Sequence, residues 1–134
     1  MFKLNITRPK RLVATGGLAT ALAIGALAGP AATLASGVVR SGNCSAGSVY
    51  TLQAEHDNGR IQVELEVETN RSGQAWYVRF WDNGVRVYAG MVATQADSTL
   101  TVDRSIANRP GVDHIKARAT NPATGEVCQA TVSV

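Results

Sequence analysis

The fold of this chain is decided by one stretch of alternating residues, VYTLQAEHDNGRIQVELEVE, at positions 49–68. Its centre is Asn58-Gly59, a dipeptide that suits the positive-φ positions of a type I′ hairpin turn. A two-residue loop at this point gives one uniformly apolar face and one uniformly polar face, and a slip of one residue would destroy both. The predicted apolar pairs are Tyr50–Val67, Leu52–Leu65, Ala54–Val63 and His56–Ile61. The polar pairs are Thr51–Glu66, Gln53–Glu64 and Glu55–Gln62.

A second stretch, at positions 75–92, repeats the pattern around Asn83-Gly84. Alternation predicts that Trp76, Val78 and Phe80 point into a core and that Tyr77, Arg79 and Trp81 point outward. The inner pairs expected from a two-residue loop are Phe80–Val87, Val78–Ala89 and Trp76–Met91. The outer pairs expected are Trp81–Arg86, Arg79–Tyr88 and Tyr77–Gly90.

The rest of the chain after residue 35 also reads as strands and turns. Residues 98–103 predict a short strand with Leu100 and Val102 inward, and residues 104–111 predict a loop. A last hairpin, 112–119 with 127–134, surrounds the turn at 121–125. Its expected pairs are Ile115–Val132, Ala117–Ala130 and Ala119–Cys128. About seven strands without a long helix predict an all-β protein of two packed antiparallel sheets.

Residues 110–125, PGVDHIKARATNPATG, resemble the closing hairpin of bacterial immunoglobulin-like and fibronectin-III-like domains. Trp76 lies on the third predicted strand, where immunoglobulin domains bury a tryptophan. The resemblance implies an immunoglobulin-like antiparallel β-sandwich. The whole chain also resembles small secreted single-domain proteins of actinobacteria.

Residues 1–35 have the layout of an export signal. A basic start with Lys3 and Arg8 precedes an apolar stretch at 12–28, and small residues occupy Thr33 and Ala35. We therefore predict a signal peptide over 1–35, a single domain over 36–134, a secreted product and no membrane attachment after cleavage.

Removal of the signal reverses the sign of the net charge. Four of the 13 Lys and Arg residues lie in 1–35, which leaves nine against the 10 Asp and Glu residues. Because the basic character belongs to the discarded segment, nucleic acid is not expected as a partner.

Cys44 and Cys128 are the only two cysteines. In an exported protein such a pair is expected to form a disulfide. Cys44 precedes the first predicted strand, so the bridge would connect the N-terminal segment to the last strand. It would differ from the usual immunoglobulin bridge between the two sheets.

No recognised catalytic motif is present, and no cofactor or metal site is expected. His56 and His114 have no neighbour at metal-ligand spacing. Glu64, Glu66 and Glu68 share one flat strand face, which does not converge on a cation. Ser, His and Asp occur without a nucleophile motif, so the chain is not expected to be an enzyme.

The best candidate binding patch is the outer face of the second hairpin, whose predicted members are Tyr77, Arg79, Trp81, Arg86 and Tyr88. Such residues dominate binding hot spots, although the same pairs also stabilise sheets without a ligand.

The leading functional class is a secreted, non-catalytic interaction module with an extracellular protein partner. One alternative is a carbohydrate- or small-ligand-binding sandwich. A disulfide between the two ends of the domain resembles that of family-2 cellulose-binding modules. The strip of three exposed tryptophans that those modules use is missing from this sequence. Another is a secreted enzyme inhibitor that would use the loop at 104–111.

Overall fold

The computed structural model describes residues 37–134, which form eight β-strands and no helix. The strands are β1 Val38–Asn43, β2 Val49–Asp57, β3 Arg60–Glu68, β4 Ala75–Asp82, β5 Val85–Ala93, β6 Thr99–Ala107, β7 His114–Thr120 and β8 Val127–Ser133. The predicted all-β class is therefore confirmed.

Two four-stranded antiparallel sheets pack around one core, with strand orders β1-β2-β3-β6 and β5-β4-β7-β8. The largest completely buried side chains come from both sheets, and they are Trp76, Phe80, Leu52, Ile61, Leu65, Leu100 and Ile115. The core is thus made of the inward residues that the period-2 pattern predicts.

The first hairpin, β2–β3, has the predicted register at every pair. Asn58 and Gly59 adopt φ values of 53° and 79°, as a type I′ turn requires. Both faces are uniform, so no other register would keep the apolar residues buried. The last hairpin, β7–β8, also has its three predicted pairs.

The structure adds one strand that the sequence pattern does not predict. β1 pairs antiparallel with β2 and brings the number of strands from seven to eight. Cys44 follows β1 directly, so the expectation that this cysteine precedes the first strand was wrong. The predicted disulfide itself is confirmed, with a Cα–Cα distance of 4.3 Å between Cys44 and Cys128.

The second hairpin, β4–β5, departs from its predicted register beyond the turn. Asn83 and Gly84 form the turn at φ values of 49° and 85°, and Trp81 faces Arg86 as expected. A β-bulge then shifts the pairing by one residue. The observed pairs are Phe80–Tyr88, Arg79–Ala89, Val78–Gly90, Tyr77–Met91 and Trp76–Val92. The five predicted pairs beyond Trp81–Arg86 were therefore wrong, although the burial of Trp76, Val78 and Phe80 was right.

β6 is longer than predicted. It runs to Ala107 because it pairs with β3 along the whole length of that strand. The predicted loop at 104–111 is thus strand in its first half. Leu100 and Val102 are buried in this strand, as expected.

The predicted signal peptide, residues 1–35, lies outside the described residues. From residue 37 onward, no helix is long and apolar enough to cross a membrane.

Candidate binding face

The outer surface of the sheet β5-β4-β7-β8 carries a group of four cationic and two aromatic side chains, which we call the basic face. Its members are Tyr77, Arg79 and Trp81 from β4, Arg86 from β5, and Lys116 and Arg118 from β7. The register of β4 against β7 places Arg79 beside Arg118 and Trp81 beside Lys116. Arg86 lies on the other side of Trp81. Three neighbouring strands therefore bring four cations and two rings onto one surface.

The rings of the basic face hold its cations in place. The Arg79 guanidinium carbon lies 4.7 Å from the centre of the Tyr77 ring and 5.5 Å from that of Trp81. The Lys116 Nζ lies 4.8 Å from the centre of the Trp81 ring. Such cation–π contacts fix the position of a charge without neutralising it.

Four of the five residues of the predicted patch share this face, and Tyr88 does not. Because of the bulge, Val87 and Tyr88 both pack against the core. The Tyr88 ring lies 5.4 Å from that of Phe80 and is covered by the Arg104 guanidinium at 4.3 Å. The predicted pair of Trp81 with Arg86 is observed, whereas Arg79 lies opposite Ala89 and not opposite Tyr88.

Lys116 and Arg118 belong to the basic face but are not members of the predicted patch. Their alternation with Ile115 and Ala117 does show that they point outward from their strand. What the sequence does not show is that β7 pairs with β4, since the paired positions are 33 to 43 residues apart in the chain. This non-local pairing adds the second half of the face.

The charge of the basic face is not neutralised within its own sheet. Asp82 is the only acidic residue in these four strands, and its side chain is buried on the inner side. Arg79 and Arg118 lie directly opposite each other, an arrangement of like charges that destabilises a sheet. The Nε atoms of both arginines are buried without a hydrogen-bond partner among the described residues. Within residues 37–134, Arg118 is the one of the two with a side-chain acceptor, because its Nη1 donates to Gln129 Oε1 at 3.0 Å.

The outer surface of the other sheet, β1-β2-β3-β6, has the opposite character, and we call it the acidic face. Alternation and register place one cation, Arg60, among its acidic residues. Those acidic residues are Glu55, Asp57, Glu64, Glu66, Glu68 and Asp103. The nearly neutral domain is thus divided into a positive and a negative side.

A second group of charges lies at the end of the sheet, below the basic face. Asp82 and Asp113 are completely buried, and their carboxylate oxygens have no hydrogen-bond partner among residues 37–134. Arg109 Nε approaches Asp82 Oδ2 at 3.4 Å. Burial raises the pKa of Asp82, and the neighbouring Asp113 carboxyl group raises it further, against the lowering effect of Arg109 and His114.

The opposite end holds the disulfide, and a groove runs along the edge of the sandwich beside β8. The buried carboxylate of Glu126 accepts hydrogen bonds from the Ala46 and Ser48 N–H groups, at 3.1 and 2.8 Å, and from the Ser48 hydroxyl at 3.0 Å. An open groove of about 620 Å³ runs between β1 and β8, with Arg40 on one wall and residues 129–133 of β8 on the other. The β8 wall adjoins the basic face.

The two histidines do not form a metal centre. Nδ1 of His114 lies 2.7 Å from Ser133 Oγ, and Nδ1 of His56 lies 3.4 Å from Asn108 Nδ2. In the part of the chain that the structure describes, no three His, Cys, Asp or Glu residues converge as a metal site would require.

Searches against protein-family models, curated proteins and solved structures found no match for this chain.

Proposed function

We propose that this protein is an exported, non-catalytic binding module that recognises an extracellular partner with its basic face. The disulfide between Cys44 and Cys128 supports export, because such bonds persist in oxidising compartments. The signal layout of residues 1–35 supports it independently.

We also propose that the sandwich is immunoglobulin-like, of the fibronectin-III type. The order β5-β4-β7-β8 corresponds to the C′-C-F-G sheet of that architecture, and β2-β3-β6 corresponds to A-B-E. β1 would then be an additional strand beside A. Trp76 supports this assignment, since it is completely buried on the strand that corresponds to C.

The observation that carries the binding function is the arginine pair of the basic face. Arg79 and Arg118 face each other across two central strands, with Lys116 and Arg86 nearby and no acid in the outer layer. A sheet selected only for stability would place opposite charges in these positions. Arrangements that reduce stability, such as two like charges directly opposite each other, occur mainly at functional sites.

The inhibitor alternative and an enzymatic function receive less support. The inhibitor alternative needs a long exposed loop, but Arg104–Ala107 is paired strand. An enzyme would need a nucleophile and a base in a shielded site. Ser133 and His114 lie 2.7 Å apart, but both are exposed at the end of a sheet.

The test uses the purified protein and two variants of equal net charge. In Arg79→Gln/Arg118→Gln the basic face loses two charges, whereas in Arg60→Gln/Arg71→Gln two charges are lost elsewhere. Both variants and the wild type are screened on arrays of extracellular glycans and of secreted proteins. Partners of the wild type should bind the first variant at least about tenfold more weakly and the second almost normally. A partner that binds both variants equally well would overturn the proposal.

A further inference from the structure

The arrangement of the basic face also indicates the chemical class of its ligand. This inference rests on the proposed function. The four cations Arg79, Arg86, Lys116 and Arg118 share a surface with no acid, so the complementary ligand is an anion. Guanidinium groups bind carboxylate, sulfate and phosphate groups through paired hydrogen bonds. Arg79 is well suited to this because its contacts are ring faces, and no described carboxylate pairs with it.

The spacing of the cations fits a chain of anionic groups rather than one small anion. Neighbouring strands lie about 4.8 Å apart, and outward residues on one strand recur about every 6.7 Å. Arg79 and Arg118 form one row, and Arg86 and Lys116 on either side of Trp81 form the next row. A ligand that contacts both rows must therefore carry anionic groups at separations of roughly 5–10 Å.

The aromatic rings argue against single-stranded nucleic acid. Proteins that bind such strands stack the bases on open aromatic faces. Here Arg79 lies over both Tyr77 and Trp81, and Lys116 also lies over Trp81. Because cations already occupy these rings, the rings position charges and do not offer a platform for bases.

A protein partner is also a poorer fit than a polysaccharide. The centres of protein interfaces are depleted in charged residues. The centre of this face is an arginine pair, and its most exposed large apolar side chain, Met91, is on the edge strand β5. The groove beside β8 continues the surface and adds a further cation, Arg40. A flexible anionic chain can follow such a flat surface into a groove.

We propose that the basic face binds a linear acidic polysaccharide whose carboxylate or sulfate groups are held by Arg79, Arg118 and Lys116. Tyr77 and Trp81 act as positioning residues for these cations. Binding should be dominated by charge, so it should weaken on the order of tenfold or more between about 50 and 200 mM salt.

The experiment measures the affinity of the purified protein for polygalacturonate and heparin, which carry carboxylate and sulfate groups. Neutral dextran, poly-glutamate and an oligo-dT strand are the comparison polymers. The expected result is binding to at least one acidic polysaccharide and none to dextran. Arg79→Gln/Arg118→Gln should weaken this binding at least about tenfold, and Arg60→Gln/Arg71→Gln should not.

A further variant, Trp81→Ala, separates positioning from charge. It leaves the net charge unchanged but removes the ring under Arg79 and Lys116, so affinity should fall several-fold while the salt dependence keeps its slope. Thermal unfolding followed by circular dichroism confirms that each variant is folded.

The inference is overturned if neither acidic polysaccharide binds at low salt, or if poly-glutamate or oligo-dT binds more tightly than both. It is also overturned if the acidic face of one molecule occupies the basic face of another, so that the partner of the basic face is a second copy of the protein. A protein partner that depends on Arg79 and Arg118 would overturn the polysaccharide inference and leave the proposed function intact. If no binding is weakened by the basic-face variants, both the proposed function and the polysaccharide inference are wrong.

Discussion

At the scale of single residues, Asp82 makes the stability of the domain depend on pH in an unusual direction. Its folded-state pKa is raised from 3.8 by burial and by the adjacent Asp113 carboxyl group. A raised pKa means that the folded state holds the proton more firmly than the unfolded state. The stabilisation is complete below the unfolded pKa and is lost as the pH rises through the folded pKa.

We therefore expect Asp82→Asn, which mimics the protonated acid, to gain stability relative to the wild type as the pH rises from 4 to 7. Asp97 provides a control of opposite sign. Its pKa is lowered from 3.8 by hydrogen bonds from the Thr99 hydroxyl and N–H groups. Asp97→Asn should therefore be less stable than the wild type by a nearly constant amount from pH 4 to 7, and the difference should shrink only as the pH falls below about 4. Urea unfolding of both variants at several pH values measures this. Parallel curves for wild type and Asp82→Asn would contradict the assignment.

Trp76 and Trp81 give the second prediction at this scale. Trp76 is completely buried, and its Nε1 has no hydrogen-bond partner among the described residues. Trp76→Ala should lower the free energy of unfolding by about 3–5 kcal/mol, as large core truncations do. Trp81→Ala removes a half-buried outer ring and should cost only about 1 kcal/mol. Urea unfolding compares the two, and equal losses would show that the inner and outer faces are misassigned.

At the scale of elements, the two Asn-Gly hairpins show how far the sequence predicts pairing. In β2–β3 the alternation is unbroken, and the register follows from the turn alone. In β4–β5 the turn was equally clear, but the bulge inserts Val87. Two adjacent apolar residues, Val87 and Tyr88, are the only sequence trace of it. β1 was missed because its residues, VVRSGN, do not alternate and include a glycine.

β1 and β5 each contain a glycine that is covered by a tyrosine ring. Any Cβ at Gly90 would lie 2.7 Å from the Tyr88 hydroxyl oxygen, and any Cβ at Gly42 would lie 2.6 Å from that of Tyr50. Each ring therefore covers a glycine on its own or the neighbouring strand, as in aromatic rescue. The predicted partner of Gly90 was Tyr77, because the bulge was not predicted.

We expect Tyr88→Ala to be the most damaging substitution among the five residues of the predicted patch. It removes contacts with Phe80, Gly90 and Arg104, and the loss should be about 2–3 kcal/mol because the ring is only partly buried. Tyr77→Ala, on the outer face of the same hairpin, is the matched control and should cost about 1 kcal/mol or less. Thermal or urea unfolding gives both values. Equal losses would contradict the inward position of Tyr88.

At the scale of the whole molecule, the disulfide and Glu126 connect the chain's first and last described strands. Cys44 and Cys128 close a loop with a sequence separation of 84. Ser45 N–H also donates to the Val127 carbonyl oxygen at 2.9 Å. This end of the sandwich thus has covalent and hydrogen-bonded connections between β1 and β8.

Replacing both cysteines by alanine should lower the free energy of unfolding by about 4–5 kcal/mol on the chain-entropy model. Glu126→Gln keeps the shape of the side chain but weakens the hydrogen bonds that it accepts from Ala46 and Ser48. This variant should lower the free energy of unfolding by less, about 1–2 kcal/mol. Urea unfolding with and without a reductant measures the first effect. A double variant as stable as the oxidised wild type would show that the disulfide does not stabilise the domain.

The charge separation between the two faces is only partly predictable from the sequence. Alternation within each strand predicts which charges point outward, and it does so correctly for Glu64, Arg79 and Lys116. The pairing of β4 with β7 and of β3 with β6 then decides which charges become neighbours. Those contacts are non-local, and no turn motif encodes them.

The central claim, that the basic face is the binding surface, is tested most directly by amide NMR spectra of isotope-labelled protein during a titration with polygalacturonate or heparin. We predict shifts concentrated on β4 and β7 around Arg79, Trp81, Lys116 and Arg118, with the acidic face unchanged. Shifts on the outer residues of β3 and β6, or binding that leaves β4 and β7 undisturbed, would contradict it.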